Sequence, residues 1–563
     1  KYFFRASAAD FGKIPGAPIS YWLGNRVSAT FNGANLSALI DTEGQNKTAN
    51  NEKYVRLAWE VSNSKVGKNS HWLPYAKGGD YRKWFGNLQH VVDWSKEARE
   101  HYRKDSSCRL IAEPFWYREG ITWTDITSTG TAFRFLPEGA TFDMSGPTAF
   151  FSNREEIFRC AALLNSTYTK YLLPVLNPTL HAQLRDIKSI PQLELAKNNP
   201  RSAEISKLCI KAAEIDWNSF EGSMGFSALP LLHPDHRQPT LKAKYHALRP
   251  HWREMTLEMQ RLEEENNRII IDAYGLQDEL TPEVPLSEIT LTCNPHYRYG
   301  GDKSEEELEA LLLADTMREL VSYAVGCMLG RYCLDKPGLI LANQGETLAD
   351  YLAQVPQPRF AADEDNVIPV LDGDWFSDDI TLRLRQFLRV AFGDEHYDEN
   401  LAFIEQALNV KGKRNYGLRD YFLSEFYADH VKRYKKRPIY WLFGSPKGSF
   451  NALIYMHRYR PDTVSVVLKY LRDYREKLVT EKERQAAVSI NPVSSQGDKT
   501  KAQKEVDRLG KVLTELEDYE RDVLYPLATE QKQIDLDDGV KANYLKFGAA
   551  LKKIAGLETK GED

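Results

Sequence analysis

Eleven consecutive residues, Lys77–Gly78–Gly79–Asp80–Tyr81–Arg82–Lys83–Trp84–Phe85–Gly86–Asn87, set glycines beside three fixed positive charges and three large rings. Gly78 and Gly79 let a backbone turn or approach a partner closely. Lys77, Arg82 and Lys83 can neutralise phosphates, and the Arg82 fork can address a guanine edge. Tyr81, Trp84 and Phe85 offer faces on which a base can stack. The competing reading is a solvated basic turn whose Trp84 packs into its own domain.

A second stretch shares this chemistry. Between Asp429 and Asp462 there is no acid, yet Lys432, Arg433, Lys435, Lys436, Arg437, Lys447, Arg458 and Arg460 all fall there. Tyr434, Tyr440, Trp441, Phe443, Phe450, Tyr455 and Tyr459 are interleaved with them, and Gly444–Ser445–Pro446–Lys447–Gly448–Ser449 supplies a loop. Clustered cations with rings match a phosphate-tracking surface. The alternative is a core strand, Ile439–Phe443, flanked by ordinary surface lysines.

Other motifs are weaker. Cys293–Asn294–Pro295–His296–Tyr297 follows a strand-like run and resembles the Asn-Pro-Pro-Tyr turn of amino-methyltransferases, with His296 in place of the second proline; a structural turn is the preferred reading. The 444–449 loop is no Walker loop, because Lys447 precedes the last glycine. Asp535, Asp537 and Asp538 suit either a metal nuclease or a helix cap, and no Glu-x-Lys strand follows them. The six cysteines (108, 160, 209, 293, 327, 333) include no Cys-x-x-Cys pair, so neither a metal site nor a disulfide framework is expected, and a reducing cytoplasm fits.

The elements that must carry these residues read as follows. Alternation over 54–61 predicts a strand. Short strands and aromatic packing are expected over 108–127, and Phe133–Leu136 with Thr141–Phe142 reads as a hairpin. Asn153 caps a helix, with Glu155 and Glu156 in its first turn, that runs on through Leu172. Residues 196–275 read as helical. Trp252, Met255, Met259, Leu262 and Ile269 form the apolar stripe, Glu263–Glu264–Glu265 a solvated face, and Tyr274–Gly275–Leu276 the C-cap. Helices are expected at 304–331 and 377–408. Amphipathic helices over about 461–488 and 499–524 read as an antiparallel hairpin, with a partner-binding coiled coil as its rival.

The 563 residues allow two to four domains. The net charge of -5 does not announce a nucleic-acid binder, but the charge is unevenly placed: residues 301–410 hold 22 acids against 8 bases. Such a surface would repel nucleic acid and face away from it or toward a protein partner. No apolar run reaches about 18 residues, so no membrane span is expected. The chain opens Lys1–Tyr2–Phe3–Phe4 and is expected to be an inner piece of a longer polypeptide.

Several stretches together resemble a family. Ile14–Pro15–Gly16–Ala17–Pro18–Ile19–Ser20–Tyr21–Trp22, Lys77–Asn87, Asn294–Gly300, Lys436–Phe443, Lys447–Arg458 and Ile534–Val540 are similar to the region after the catalytic domain in the PglX family, the adenine-specific DNA methyltransferases of BREX phage defence. Leu176–Asn177–Pro178–Thr179 and Ile187–Pro191 resemble the ending of target-recognition domains. The resemblance implies a site-specific adenine-N6 methyltransferase that uses S-adenosylmethionine. Its cofactor glycines and catalytic turn would lie N-terminal to this chain, which alone would be inactive and would hold no cofactor.

The expected fold is thus α+β and multidomain: a target-recognition-like α/β domain, then mostly helical domains and a C-terminal helical hairpin. The expected segments are a target-recognition domain at 1–195, a helical spacer at 196–280, a domain at 281–480 with acidic (301–410) and basic (430–460) halves, and a helical tail at 481–563. Lys77, Arg82, Lys83 and Trp84 are the candidate groove contacts; Arg433, Lys436, Arg437 and Lys447 are the candidate phosphate contacts. No catalytic residue and no metal ligand is expected. The expected partners are double-stranded DNA, other BREX subunits and a DNA-mimicking phage inhibitor, in the cytoplasm and without a membrane. The alternative is a protein-interaction scaffold of the defence complex.

Overall fold

The computed structural model describes residues 12, 14–20, 22–42, 44–192, 199–236 and 238–557. Phe11, Lys13 and Tyr21 of the opening turn, the boundary expected at 195 and the last residues of the tail lie outside them. Among the described residues no helix is long and apolar enough to cross a membrane. The fold is mixed α/β, with small sheets among many helices. The chain divides into two units. Unit one takes the described residues up to Ala58, then Lys65–Phe226 and His246–Leu312; unit two takes Trp59–Ser64, Ser227–Tyr245 and the described residues from Leu313. Residues 196–280 and 281–480 therefore each contribute to both units.

Unit one is built on two sheets. In the first, β1 (Val55–Leu57), β3 (His90–Asp93), β2 (Trp72–Ala76) and β6 (Thr141–Phe142) lie in the order β1-β3-β2-β6, with only β6 parallel to its neighbour. In the second, β4 (Gly120–Trp123) lies between β5 (Phe133–Leu136) and β7 (Thr148–Ala149). Every residue of β4 is buried. Gly120 is required there, because a Cβ would stand 2.5 Å from the Ala149 carbonyl oxygen. Two expectations are corrected. The 54–61 strand shrinks to β1, followed by a 3-10 turn at Ala58–Glu60. The expected 133–142 hairpin does not form, since β5 and β6 belong to different sheets.

The Asn153 cap is present: its side chain accepts from the Glu156 N–H at 3.0 Å and starts helix Arg154–Leu164. That helix does not run on to Leu172, because Ser166 caps a new one, Thr167–Leu176. Helix Pro200–Trp217 packs on Arg154–Leu164. Helix Leu241–Tyr274 ends at Gly275, whose φ of 63° lets the Leu276 N–H reach the Ile271 carbonyl at 3.0 Å.

Unit two centres on β9 (Tyr440–Gly444) and β10 (Asn451–Tyr455), an antiparallel pair extended by β8 (Ile368–Pro369). Trp441, Phe443, Ala452, Leu453, Ile454 and Tyr455 have no exposed surface. The 377–408 helix divides into Ile380–Phe392 and Tyr397–Leu408 around Gly393. The C-terminal hairpin joins Thr463–Ile490 to Gln496–Tyr519. Arg472 and Arg475 pair with Glu520, just beyond the second helix, which fits antiparallel packing.

Buried titratable groups make this unit sensitive to acid. Burial, followed by Arg331, lowers His457 to about 3; burial, then Arg433 and Arg331, holds His430 well below its ordinary range. Below pH ~6.5 the unfolded chain binds protons these rings refuse, so each costs about 1.4 kcal/mol of stability per pH unit. Asp363 acts oppositely. Burial and then neighbouring Asp365 raise its carboxyl, so below that raised value the folded chain holds the extra proton and gains stability. Asp363→Asn keeps an acceptor for the Val367 N–H, which lies 3.1 Å from Oδ1, and removes the titration. Its urea midpoint is expected to fall more steeply than wild type between pH 7 and 5; parallel slopes would refute this.

Candidate nucleic-acid interface

The Lys77–Asn87 segment joins β2 to β3 and is largely enclosed. Gly78 has φ 74°, and a Cβ there would stand 2.6 Å from the Ser145 carbonyl oxygen. Arg82 is buried; its Nη1 donates to Asp216 Oδ2 at 3.2 Å, Nη2 donates to the Thr292 hydroxyl, and the guanidinium lies 5.0 Å from the Trp217 ring centre. The Lys83 ammonium pairs with Glu263, whose other oxygen accepts from Trp84 Nε1 at 2.7 Å. The side chains of Lys83 and Glu263 are only 6% and 3% exposed. Burial alone would lower the Lys83 ammonium, but Glu263 and Tyr81 outweigh it and hold it above its ordinary value.

These facts correct the assignment of Arg82, Lys83 and Trp84 to a DNA groove. Their polar atoms are committed to Asp216, Thr292 and Glu263 inside the unit and their side chains are buried, which does not suit groove contact. They also correct the solvated reading of Glu263. Lys77 is half-buried, with Nζ 3.6 Å from Asp143.

What the segment does is hold neighbouring loops. Thr124 Oγ1 donates to the Gly79 carbonyl at 3.0 Å, Asn87 Nδ2 to that of Asp80 at 2.8 Å, and Ser145 Oγ to that of Lys77 at 3.0 Å. The Thr127 N–H donates to the Leu180 carbonyl at 3.0 Å, and the Asp125 N–H to that of Ser145 at 3.1 Å. On this base Ile126 and Leu180 are each 60% exposed and Met144 is 46% exposed. Beneath lies Arg134, 2% exposed, donating to Thr124 Oγ1 and to the Arg82 and Ala132 carbonyls. Burial and then Arg82 lower its guanidinium to about 10. Ile126, Leu180 and Met144 are thus exposed on loops that backbone hydrogen bonds tie together, with the Arg134 guanidinium bonded to Thr124. Of these loops the sequence reading singled out only Leu176–Thr179; the Thr127–Ser128–Thr129–Gly130 run went unused as a turn signal.

The Asn294 turn is structural in its bonding. Asn294 is 1% exposed, donates to the Leu286 and Ile289 carbonyls at 2.7 and 2.8 Å, and caps helix Pro295–Tyr299. The Tyr297 hydroxyl donates to the Tyr81 carbonyl at 2.5 Å.

In unit two the basic segment separates by burial. All seven interleaved rings are buried, so none offers a face to a base, which corrects the stacking expectation. Arg458 is buried and donates to the Leu329, Asp363 and Glu364 carbonyls. Arg433 is half-buried; Arg437 is half-buried and 3.8 Å from Glu60. Lys432, Lys436 and Lys447 are exposed. The 444–449 loop already holds an anion: Glu515 accepts from the Lys447 N–H at 2.8 Å and from Ser449 Oγ at 2.5 Å. Burial pushes that carboxyl up, yet hydrogen bonds from Ser445, Ser449 and the loop backbone keep it below its usual range. The loop backbone is therefore no open phosphate cradle. Lys447 instead edges a cavity of about 860 Å³ that Leu442, Tyr427, Tyr544 and Lys552 also line.

No known protein-family profile matches the chain. It is 35% identical over 569 residues to the adenine-specific methyltransferase BrxX of Escherichia coli O9:H4 (strain HS), covering 97% of this chain and 46% of that protein. It is 32% identical over 584 residues to the adenine-specific methyltransferase PglX of Lacticaseibacillus casei (strain Zhang), covering 99% of this chain and 46% of that protein. The chain spans just under half the length of these curated relatives, and along nearly all of its own length it is similar to proteins named adenine-specific methyltransferases, in support of the family its motifs resemble.

Proposed function

We propose that this chain is the DNA-recognising and DNA-holding part of a site-specific adenine-N6 DNA methyltransferase of a BREX phage-defence system. The single observation that carries the reading is the similarity of 97–99% of the chain to two adenine-specific methyltransferases. S-adenosylmethionine would be bound by the catalytic part, N-terminal to this chain as the family pattern implies. The Asn294 turn does not fit a catalytic role: its amide donates to two carbonyls and its Tyr297 hydroxyl is committed to Tyr81. No step of methyl transfer is assigned to these residues.

The labour divides by chemistry. Contacts to phosphate hold register, and contacts in the groove choose sequence. The loop surface of unit one supports the second task, because Ile126, Leu180 and Met144 stand on a hydrogen-bonded base and apolar side chains can meet thymine methyls. Lys432, Lys436 and Lys447 suit the first. The test is anisotropy of the chain with a labelled duplex carrying the host methylation site and with a scrambled duplex. Ile126→Asp with Leu180→Asp is expected to cut the preference for the site roughly tenfold or more. A preference equal to wild type would remove the loop surface from the reading, and no binding to either duplex by wild type would remove the reading itself.

A second reading, a scaffold that binds sister subunits, draws on the tip of the helical hairpin, where Ile490 and Val493 are 79% and 93% exposed. Capture of defence-complex subunits by a chain that shifts no DNA would favour it.

A further inference from the structure

The end of helix Lys96–Lys104 gathers three metal-ligating side chains with the spacing His-x3-Asp-x2-Cys. His101 lies in the last turn, and Asp105 is the C-cap, its N–H donating to the His101 carbonyl at 3.0 Å. The Cys108 N–H then donates to the Asp105 carbonyl at 3.0 Å and closes the turn. His101 Nε2 stands 3.7 Å from Asp105 Oδ2 and 3.8 Å from Cys108 Sγ, and all three ligand atoms lie within 4.8 Å of one another. Around a tetrahedral zinc ion with bonds of about 2.0–2.3 Å, ligand atoms stand about 3.3–3.8 Å apart. The two separations from His101 match that geometry, and the Asp105–Cys108 pair lies within 4.8 Å.

Each ligand is already oriented. Asp105 Oδ1 accepts from the Ser107 N–H at 2.8 Å and from Ser107 Oγ at 2.6 Å, which leaves Oδ2 facing the histidine. The His101 ring stacks on Tyr54, with centres 5.3 Å apart and planes at 25°. Cys108 Sγ–H donates to the Thr48 carbonyl oxygen at 3.3 Å in the metal-free chain, a bond the thiolate would give up. Such outer contacts are what orient the ligands themselves in metal sites. A bound divalent ion draws a coordinating thiol into its thiolate form.

We propose that His101, Asp105 and Cys108 form a binding site for a zinc-class divalent transition-metal ion. One imidazole nitrogen, one carboxylate and one thiolate would bind the ion, with the Sγ–H proton released to solvent. Water would hold the fourth position, because all three residues are only half-buried. The mixed nitrogen, oxygen and sulfur set favours zinc over magnesium or calcium, which prefer oxygen alone. The spacing straddles a helix end, so a search for Cys-x-x-Cys pairs passes over it. The site is independent of the DNA-recognition reading.

The test uses the untagged 563-residue chain, stripped with a chelator and titrated with zinc sulfate by calorimetry and with cobalt(II) chloride by absorption. The expected result is one zinc bound per chain and a thiolate-to-cobalt charge-transfer band. Cys108→Ser is expected to abolish that band, and His101→Gln to weaken zinc at least tenfold, with circular dichroism unchanged. If Cys108→Ser does not fold, the wild-type band and His101→Gln still decide. Absence of the band in wild type, or zinc affinity unchanged in both variants, overturns the proposal.

Discussion

Glu263→Gln is expected to destabilise unit one by about 3–5 kcal/mol, because it leaves the Lys83 ammonium buried without its counter-charge. The substitution also weakens the acceptor of the Trp84 indole N–H. Replacing both charges by apolar groups, Lys83→Met with Glu263→Leu, is expected to recover much of the loss, since both desolvation penalties disappear together. Urea unfolding of wild type, Glu263→Gln and the double variant measures both effects. A change below about 1 kcal/mol for Glu263→Gln, the range of exposed pairs, would show that the pair is open to solvent. Titration of the same proteins with duplex DNA separates two roles for Lys83, because loss of a phosphate contact would lower DNA affinity and leave stability alone.

The second large effect concerns the exposed lysines of unit two. Reversing Lys432, Lys436 and Lys447 together to Glu is expected to weaken binding to every duplex alike, on the order of a hundredfold at low salt. The slope of log affinity against log salt is expected to fall by about 3, one for each phosphate no longer neutralised. Site preference should not change, because phosphate contacts carry no sequence information. Arg437 is left out of the triple substitution because it neighbours buried Glu60, and its reversal would confound folding with binding. Titration of wild type and variant from low to moderate salt is the measurement, and superimposed curves would end the phosphate-holding assignment. A DNA-mimicking acidic inhibitor that uses the same lysines would lose affinity for the variant in parallel.

Legibility differed by the range of the interaction. The Asn153 cap and the Gly275 helix end depend on residues within five positions, and both were readable from residue type and spacing. The amphipathic helices of the C-terminal hairpin were readable for the same reason, because a buried stripe repeats every turn. The core strand at 440–444 was readable only as one of two alternatives, and its partner at 451–455 was not read as a strand. Rings interleaved with cations describe a nucleic-acid surface and a buried strand beside a lysine-rich turn equally well, and burial decides between them.

What the sequence by itself determined was where charge, rings and loops are concentrated, and which short segments start and stop helices. What only the tertiary structure decided was which of those charges meet water. Arg82 finds Asp216 134 residues away and Lys83 finds Glu263 180 residues away, while the 444–449 loop closes on Glu515. A cation opposite a buried acid and a cation facing solvent look alike in composition. They differ only in a partner brought up by the fold, and in the desolvation that such a partner alone can offset.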